Sequence, residues 1–267
     1  MPEGPECRRY AKDLAERISG RQLLKVEILS GRYVKKKPSG VESFLAGMPE
    51  QIVGAGVHGK FIYWILKNDL FIWSTMGMTG QWSSLETSHS RVKFHLNDGA
   101  VYFNDQRNFG TLKFVRGKFR LIEKLNSFGP DLLAEDIPDD VFIDRIRTRP
   151  NWQITKALMD QSIVAGVGNY IKADSLWLSG ISPKRNVSSL SDIELSALNR
   201  SIAHIMRESY NSGGATIKTY KNFDGSTGEY GRKFLVYNQK TDPDGNEVIK
   251  EMTDDKRSTW WCPLTQN

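Results

Sequence analysis

The spacing of hydrophobic residues changes along the chain, and each change predicts a different kind of element. In 3–18, Tyr10, Leu14 and Ile18 recur at every fourth residue and Pro5 sits in the first turn, which predicts a helix with one apolar face. Leu23 to Leu29 is largely apolar with polar interruptions, as in a strand, and the glycine- and lysine-containing 31–38 (GRYVKKKP) reads as a basic loop. From Ile52 to Val115, short β-rich runs (VGAGVHGKFIYWIL, FIWSTMGMTGQW, RVKFHL, AVYFND, GTLKFV) alternate with Gly, Asn and Asp. That beat of strands and turns predicts a β-sandwich or barrel. After Gly129-Pro130 the period turns helical in DDVFIDRIR, QITKALMDQ, NYIKADSLWLSG and DIELSALNRSIAHIMRESY, so 118–131 is the expected seam between a β domain and an α domain. The tail from Phe234 to Pro263 returns to strands (FLVYNQ, EVIKEM, STWWCP), with turns at 242–246 and 253–256.

Composition narrows the class. A chain of 267 residues is long enough for two domains with their own cores. The mean hydropathy of −0.46 predicts a soluble globular protein, and no run of 18 apolar residues suggests a membrane span. The start is polar and lacks the apolar core of a secretory leader, so an intracellular protein is expected. A net charge of +6 points mildly to an anionic partner. Cys7 and Cys262 stand at opposite ends with no C-x-x-C, which argues against a disulfide framework and for a reducing compartment.

Candidate chemistry lies at five places. Met1 precedes Pro2, a residue after which methionine is readily removed, and the freed secondary amine of Pro2 would be a nucleophile with a pKa near ~8. Such an amine forms an iminium ion with an aldehyde-like carbon, and Glu3 and Glu6 place carboxylates nearby in sequence. Lys60, in His58-Gly59-Lys60, opens an apolar strand; a snorkelling surface lysine has the same appearance. Ala165-Gly166-Val167-Gly168-Asn169-Tyr170 is a tight turn before a helix whose first N–H groups could receive a phosphate, although it lacks the strand and third glycine of a dinucleotide fingerprint. Asp105-Gln106-Arg107-Asn108-Phe109-Gly110 presents Arg107 and Phe109, which with Met78 of MGMTG could fill the gap left by an extruded base; a turn with one buried Phe and one solvated Arg is the plainer reading. Arg257, in the tail turn, is either a phosphate clamp or an ordinary solvated charge.

Taken together and in this order, these stretches resemble the Fpg/Nei family of bifunctional DNA glycosylases. MPEGPE is similar to its N-terminal signature, HGK to the site of its β-domain lysine, NDQRNFG to its intercalation loop, and LMDQSIVAGVGNYIKADSLWLSGISP to its helix–two-turn–helix segment. The resemblance implies an α+β protein: an N-terminal catalytic β-sandwich domain over 1–125, and a helical helix–two-turn–helix domain over 126–267 that ends in a β-hairpin at about 232–267. It implies Pro2 as the amine that attacks C1′, Glu3 as proton donor and acceptor, and Lys60 and Arg257 as further catalytic residues. It also implies Asn169, Lys156, Met78, Arg107 and Phe109 as DNA-binding residues. The expected partner is damaged double- or single-stranded DNA, bound by a monomer associated with DNA inside the cell, without a cofactor.

One departure from the family pattern changes the picture. The two C-x-x-C pairs of its usual zinc finger are missing: Thr241–Asn246 replaces the first, and only Cys262 remains of the second. One thiolate and four scattered histidines cannot build the tetrahedral four-sulfur site of that finger, so no metal is expected and the tail resembles the zincless finger of animal and viral Nei-like enzymes. The hairpin would then be held by Phe234, Val236, Val248, Trp260 and Trp261. Oxidised pyrimidines are the favoured substrate class on this resemblance, with ring-opened purines the other. The competing class is a non-catalytic damaged-DNA-binding homologue, which would be expected to have lost Pro2, Glu3 or Lys60; all three are present.

Overall fold

The helix expected at the start forms as α1 (Gly4–Ile18) in a computed structural model that describes residues 2–215, 223 and 228–267. The chain divides into two compact units. One takes Pro2, residues 6–126 and the described part of 213–228; the other takes 3–5, 127–212 and 229–267.

In the first unit, Cys7, Tyr10, Ala11, Leu14 and Ile18 of α1 are all buried and share one face, as the fourfold spacing requires. The strands are β1 (Gln22–Ile28), β2 (Glu50–His58), β3 (Phe61–Leu66), β4 (Leu70–Thr75), β5 (Gly80–Ser83), β6 (Ser90–Leu96), β7 (Gly99–Asp105) and β8 (Thr111–Arg116). Among the described residues they form one antiparallel sheet in the order β5-β7-β6-β1-β2-β3-β4-β8. Trp64 of β3 lies 5.0 Å from Trp82 of β5 and 5.1 Å from Phe94 of β6, ring centroid to centroid, although these strands are far apart in that order. The sheet therefore doubles over and packs its two halves face to face, the β-sandwich expected from the strand beat. Burial alternates along β3 and β6, so Trp64, Phe94 and their alternate neighbours face the core, and each such aromatic pair adds roughly 0.5–1.5 kcal/mol beyond area burial.

Three short helices were not legible in the pattern. The expected loop at 31–38 contains a helical turn, α2 (Arg32–Lys35), followed by α3 (Val41–Leu45). The expected seam holds α4 (Lys118–Asn126), which buries only Leu121 and so carries too little apolar period to read.

In the second unit, α5 (Asp139–Arg147), α6 (Ile154–Met159), α7 (Asn169–Leu178) and α8 (Asp192–Asn211) appear where the helical spacing places them. Ser191 and Glu194 close a capping box at the start of α8, each side chain bonding the other's backbone N–H. Helix α7 is buried without interruption from Tyr170 to Leu176, which makes it the central element of the unit. The turns between α6 and α7 are tied by Gln161, whose amide donates to the carbonyls of Met159 and Val167 and accepts the Gly166 N–H.

The tail corrects one expectation. FLVYNQ is not a strand, because the Asp174 carboxylate accepts the consecutive backbone N–H groups of Leu235, Val236 and Tyr237, at 3.2, 3.0 and 2.9 Å. Three successive N–H groups converging on one side chain cannot also alternate outward into a ladder. Strands β9 (Ile249–Met252) and β10 (Ser258–Trp261) do pair as an antiparallel hairpin. Val236, Val248 and Cys262 pack with Ala173 of α7 beneath it, with Trp260 against them.

Candidate active site

Pro2 is buried in the wall of a cavity of about 270 Å³ in the first unit, lined also by Met78, Thr79, Gln81, Thr87, His89, Asn104, Asp105 and Gln106. The lining is mixed: amides, hydroxyls and an imidazole stand beside apolar surface such as Met78. Met1 lies outside the described residues.

Met78, Arg107 and Phe109, expected as a group, are brought together. Met78 and Phe109 are about half exposed, at 46% and 52%. The Arg107 guanidinium stacks over the Phe109 ring at 4.8 Å and reaches the Met78 Sδ at 3.4 Å. Two loops carry these side chains, and they meet backbone to backbone: a Cβ on Gly77 (φ 56°) would lie 2.7 Å from the Phe109 carbonyl carbon. Asp105 joins the loops, accepting the Thr79 hydroxyl on one oxygen and the Gly110 N–H on the other. Arg91 donates to the carbonyls of Asp105 and Gln106, so the base of the Arg107 loop is fixed while its tip projects.

Lys60 occupies the hairpin between β2 and β3, next to Gly59 at φ 54°, where His58 pairs with Phe61. It is half-buried and is not among the residues lining the Pro2 cavity.

Glu3, which is 2% exposed, caps α7 in the second unit: its carboxylate accepts the backbone N–H of Tyr170 at 3.0 Å and of Ile171 at 3.3 Å. This corrects the expectation that those N–H groups await a phosphate; the anion at this helix N-terminus is the protein's own carboxylate. Gly168 is required for the same reason, since a Cβ there would lie 2.1 Å from the Glu3 carboxyl carbon.

Asn169 and Lys172 lie three residues apart on α7 and so share a face. Asn169 donates its side-chain amide to the Ser258 carbonyl at 2.9 Å, and the Lys172 ammonium meets the Asp255 carboxylate at 2.6 Å. Both side chains of that pair are buried, at 0% and 3% exposure. Burial pulls the Lys172 pKa below the usual lysine range, against the opposing pull of Asp255. Arg257 stands in the turn between these two anchor points, exposed, with no hydrogen bond or ion pair for its guanidinium among the described residues. Lys156 stacks its ammonium over the Trp152 ring at 4.1 Å, with Arg149 5.2 Å from the same ring.

The residues that position the site escaped the sequence reading. Thr79 and Asp105 look like ordinary turn residues. Lys172 and Asp174 carried a usable signal: both sit in IKADSLW, a helical stretch with too few polar residues to present a solvated face. In the tail, the Asp242 carboxylate accepts N–H groups from Asp244, Asn246 and the Trp177 indole, organising the turn at 242–246. Among the described residues, no group of three or more His, Cys, Asp or Glu is arranged to hold a metal ion. No described helix is long and apolar enough to cross a membrane.

Family models cover this architecture in chain order: the formamidopyrimidine-DNA glycosylase N-terminal domain matches residues 1–112, its H2TH domain 128–221 and its C-terminal domain 227–267. A formamidopyrimidine-DNA glycosylase of Parasynechococcus marenigrum is 31% identical over 279 residues, with all of both chains covered. The MutM (Fpg) protein of Thermus thermophilus superposes with a TM-score of 0.88 at 27% identity, over 99% of this chain and 98% of that one. A Lactococcus lactis Fpg mutant in complex with DNA containing Fapy-dG gives the same TM-score and identity, over 100% of both chains. The fold and its relatives thus define an enzyme of the DNA glycosylase class. The chain belongs to the formamidopyrimidine-DNA glycosylase family.

Proposed function

We propose that this chain is a bifunctional DNA glycosylase and AP lyase whose nucleophile is the amine of Pro2 after removal of Met1. The observation that carries the reading is Pro2 in the wall of a cavity that Met78 and several polar side chains also line. The amine attacks C1′ of an extruded nucleotide and the damaged base leaves as the glycosidic bond breaks; the C1′–O4′ bond then opens, O4′ takes a proton and C1′ becomes an iminium carbon. The resulting iminium acidifies the C2′ protons, so loss of one expels the 3′ phosphate and a second elimination expels the 5′ phosphate. Glu3 exchanges protons with the opened sugar, held in place by the α7 N–H groups. Lys60 serves a phosphate near the lesion. The second hydrogen on the Asn169 amide and the guanidinium of Arg257 take the phosphates flanking it, and Lys156 adds charge along the backbone. Met78, Arg107 and Phe109 occupy the vacated stack.

The finer placement is in the Nei-like branch, with a hairpin held without zinc. The cysteine count supports it, because two cysteines cannot supply the four thiolates of the family's usual finger. The Asp242 hydrogen bonds and the packing of Val236, Val248 and Cys262 do the work a metal would do there. Oxidised pyrimidines are the preferred substrates on this placement. Ring-opened purines are the second class, supported by the Lactococcus lactis relative solved with Fapy-dG DNA. The chain works on DNA as a monomer, wherever in the cell that DNA lies.

The test is borohydride trapping on abasic DNA, followed by release assays on duplexes carrying one pyrimidine or one purine lesion. A covalent complex formed by the mature chain supports the amine chemistry. A chain that binds lesion DNA tightly yet neither traps nor releases a base is a non-catalytic homologue, and the proposal is then wrong.

A further inference from the structure

We infer that the buried Lys172–Asp255 ion pair is a positioning device that sets the turn carrying Arg257, and this rests on the reading of Arg257 as a phosphate clamp. The pair is placed for this task. Asp255 Oδ2 receives the Lys172 ammonium at 2.6 Å, while its Oδ1 accepts the Thr253 hydroxyl at 2.6 Å and the Arg257 backbone N–H at 3.3 Å. One carboxylate therefore ties the core helix α7 to the backbone of the residue it would position.

The turn needs such a tie, because its backbone is in an uncommon conformation: Lys256, next to Arg257, has φ 57°. Its two ends close on each other through the Thr253 N–H and the Arg257 carbonyl at 3.1 Å. Asn169 grips the far side of the turn at the Ser258 carbonyl, so the first turn of α7 holds the chain on both sides of Arg257. The Gln153 side chain adds a third point by accepting the Asp254 N–H at 3.1 Å.

Stability alone does not account for the pair. Removing two charges from water costs about as much as their attraction returns, and two apolar side chains of similar size usually serve a fold equally well. What an ion pair adds is direction. It fixes one geometry of the turn, and a guanidinium set within a fraction of an ångström binds a phosphate where a drifting one does not.

The test compares four full-length mature proteins on a lesion duplex: wild type, Arg257→Ala, the double variant Lys172→Met/Asp255→Leu, and that double variant combined with Arg257→Ala. The double variant leaves no unpaired buried charge, so it should fold with a melting temperature close to wild type. Its single-turnover base release should fall about 10- to 100-fold, the cost of misplacing a site residue by about an ångström. Adding Arg257→Ala should then lower the rate no further than Arg257→Ala does alone. The slope of log affinity against log salt should decrease by about one in both Arg257→Ala and the double variant, since each gives up one phosphate contact. A merely structural pair would leave that slope unchanged.

Wild-type release by the double variant, with Arg257→Ala impaired, overturns the inference alone. So do losses that multiply in the combined protein. Wild-type release by Arg257→Ala overturns the reading of Arg257 and the inference with it. Should the double variant melt below the assay temperature, Lys172→Arg takes its place. It keeps the pair but displaces it, and the same non-additivity with Arg257→Ala is required.

Discussion

The Thr79 hydroxyl donates to the Asp105 carboxylate at 2.6 Å, and this bond joins the loop that carries Met78 to the loop that carries Arg107 and Phe109. The Arg107 backbone N–H closes the circuit by donating to the same Thr79 oxygen at 3.0 Å. Thr79→Val keeps the shape and removes both bonds. Leaving one side of a buried charged acceptor unpaired should lower stability by roughly 1–3 kcal/mol. Base release from duplex DNA should slow, because the three side chains proposed to fill the vacated stack lose their common register. Cleavage of single-stranded abasic DNA, which has no opposite strand to wedge, should stay near wild type. Equal slowing on both substrates would place the damage in the cavity rather than in the wedge.

The nucleophile is checked by changing the terminus. Pro2→Gly retains an α-amine and should retain weak lyase activity and trapping, whereas a chain with Met1 blocked in place should trap nothing. Trapping by the blocked chain at the wild-type level would mean that another amine, such as Lys60, does the chemistry.

For the hairpin, strong chelation should leave activity and melting temperature unchanged, and elemental analysis should find zinc well below one ion per chain. Asp242→Ala should melt earlier by the equivalent of about 1–3 kcal/mol, because part-buried N–H groups of the turn and of the Trp177 indole lose a carboxylate acceptor. Stoichiometric zinc, or an Asp242→Ala chain as stable as wild type, would contradict a hairpin held by hydrogen bonds and packing.

Much of the fold was legible because its elements announce themselves by period. The α1 face, the strand runs that pack Trp64 against Trp82, and the four helices from α5 to α8 all follow from spacing. FLVYNQ misled because alternation describes what side chains prefer, while its backbone N–H groups go to Asp174, more than sixty residues away. The candidate site divides in the same way. Pro2 was visible through the short motif at the start of the chain, and Arg107, Phe109 and Arg257 because exposed loop chemistry is local to a few residues. Thr79, Asp105 and Asp255 were not, since each acts through a partner that only the fold brings near; Lys172 showed only as a charge within a buried helical stretch, with nothing local to name Asp255 as its partner. Gly168 was visible as part of a tight turn, but nothing in the sequence says that the group pressed against it is Glu3.

The Asp174 clamp sets burial against hydrogen bonding, and its pH dependence tells which prevails. The carboxyl is fully buried, and burial pushes its pKa up to about 6, while the N–H groups of Val236, Tyr237 and Leu235 pull the other way. A carboxyl whose folded pKa is raised stabilises the fold most where it is protonated. Its contribution is therefore complete below the ordinary value of 3.8 and is lost as pH rises through about 6. A rise of roughly two units corresponds to about 3 kcal/mol, an order-of-magnitude figure. Asp174→Asn mimics the protonated form: its carbonyl can accept from Val236 and Tyr237, and only the Leu235 bond is given up. Near pH 4, variant and wild type should therefore melt within about 1 kcal/mol of each other. Between about pH 4 and pH 8 the difference should move in favour of the variant, because only the wild type must ionise a buried group. Melting curves at constant ionic strength measure that difference directly, and the proteins' other titrating groups cancel in it. If the wild type instead gains on Asp174→Asn as pH rises, three backbone N–H groups outweigh burial, and the carboxylate is the form the fold is built around.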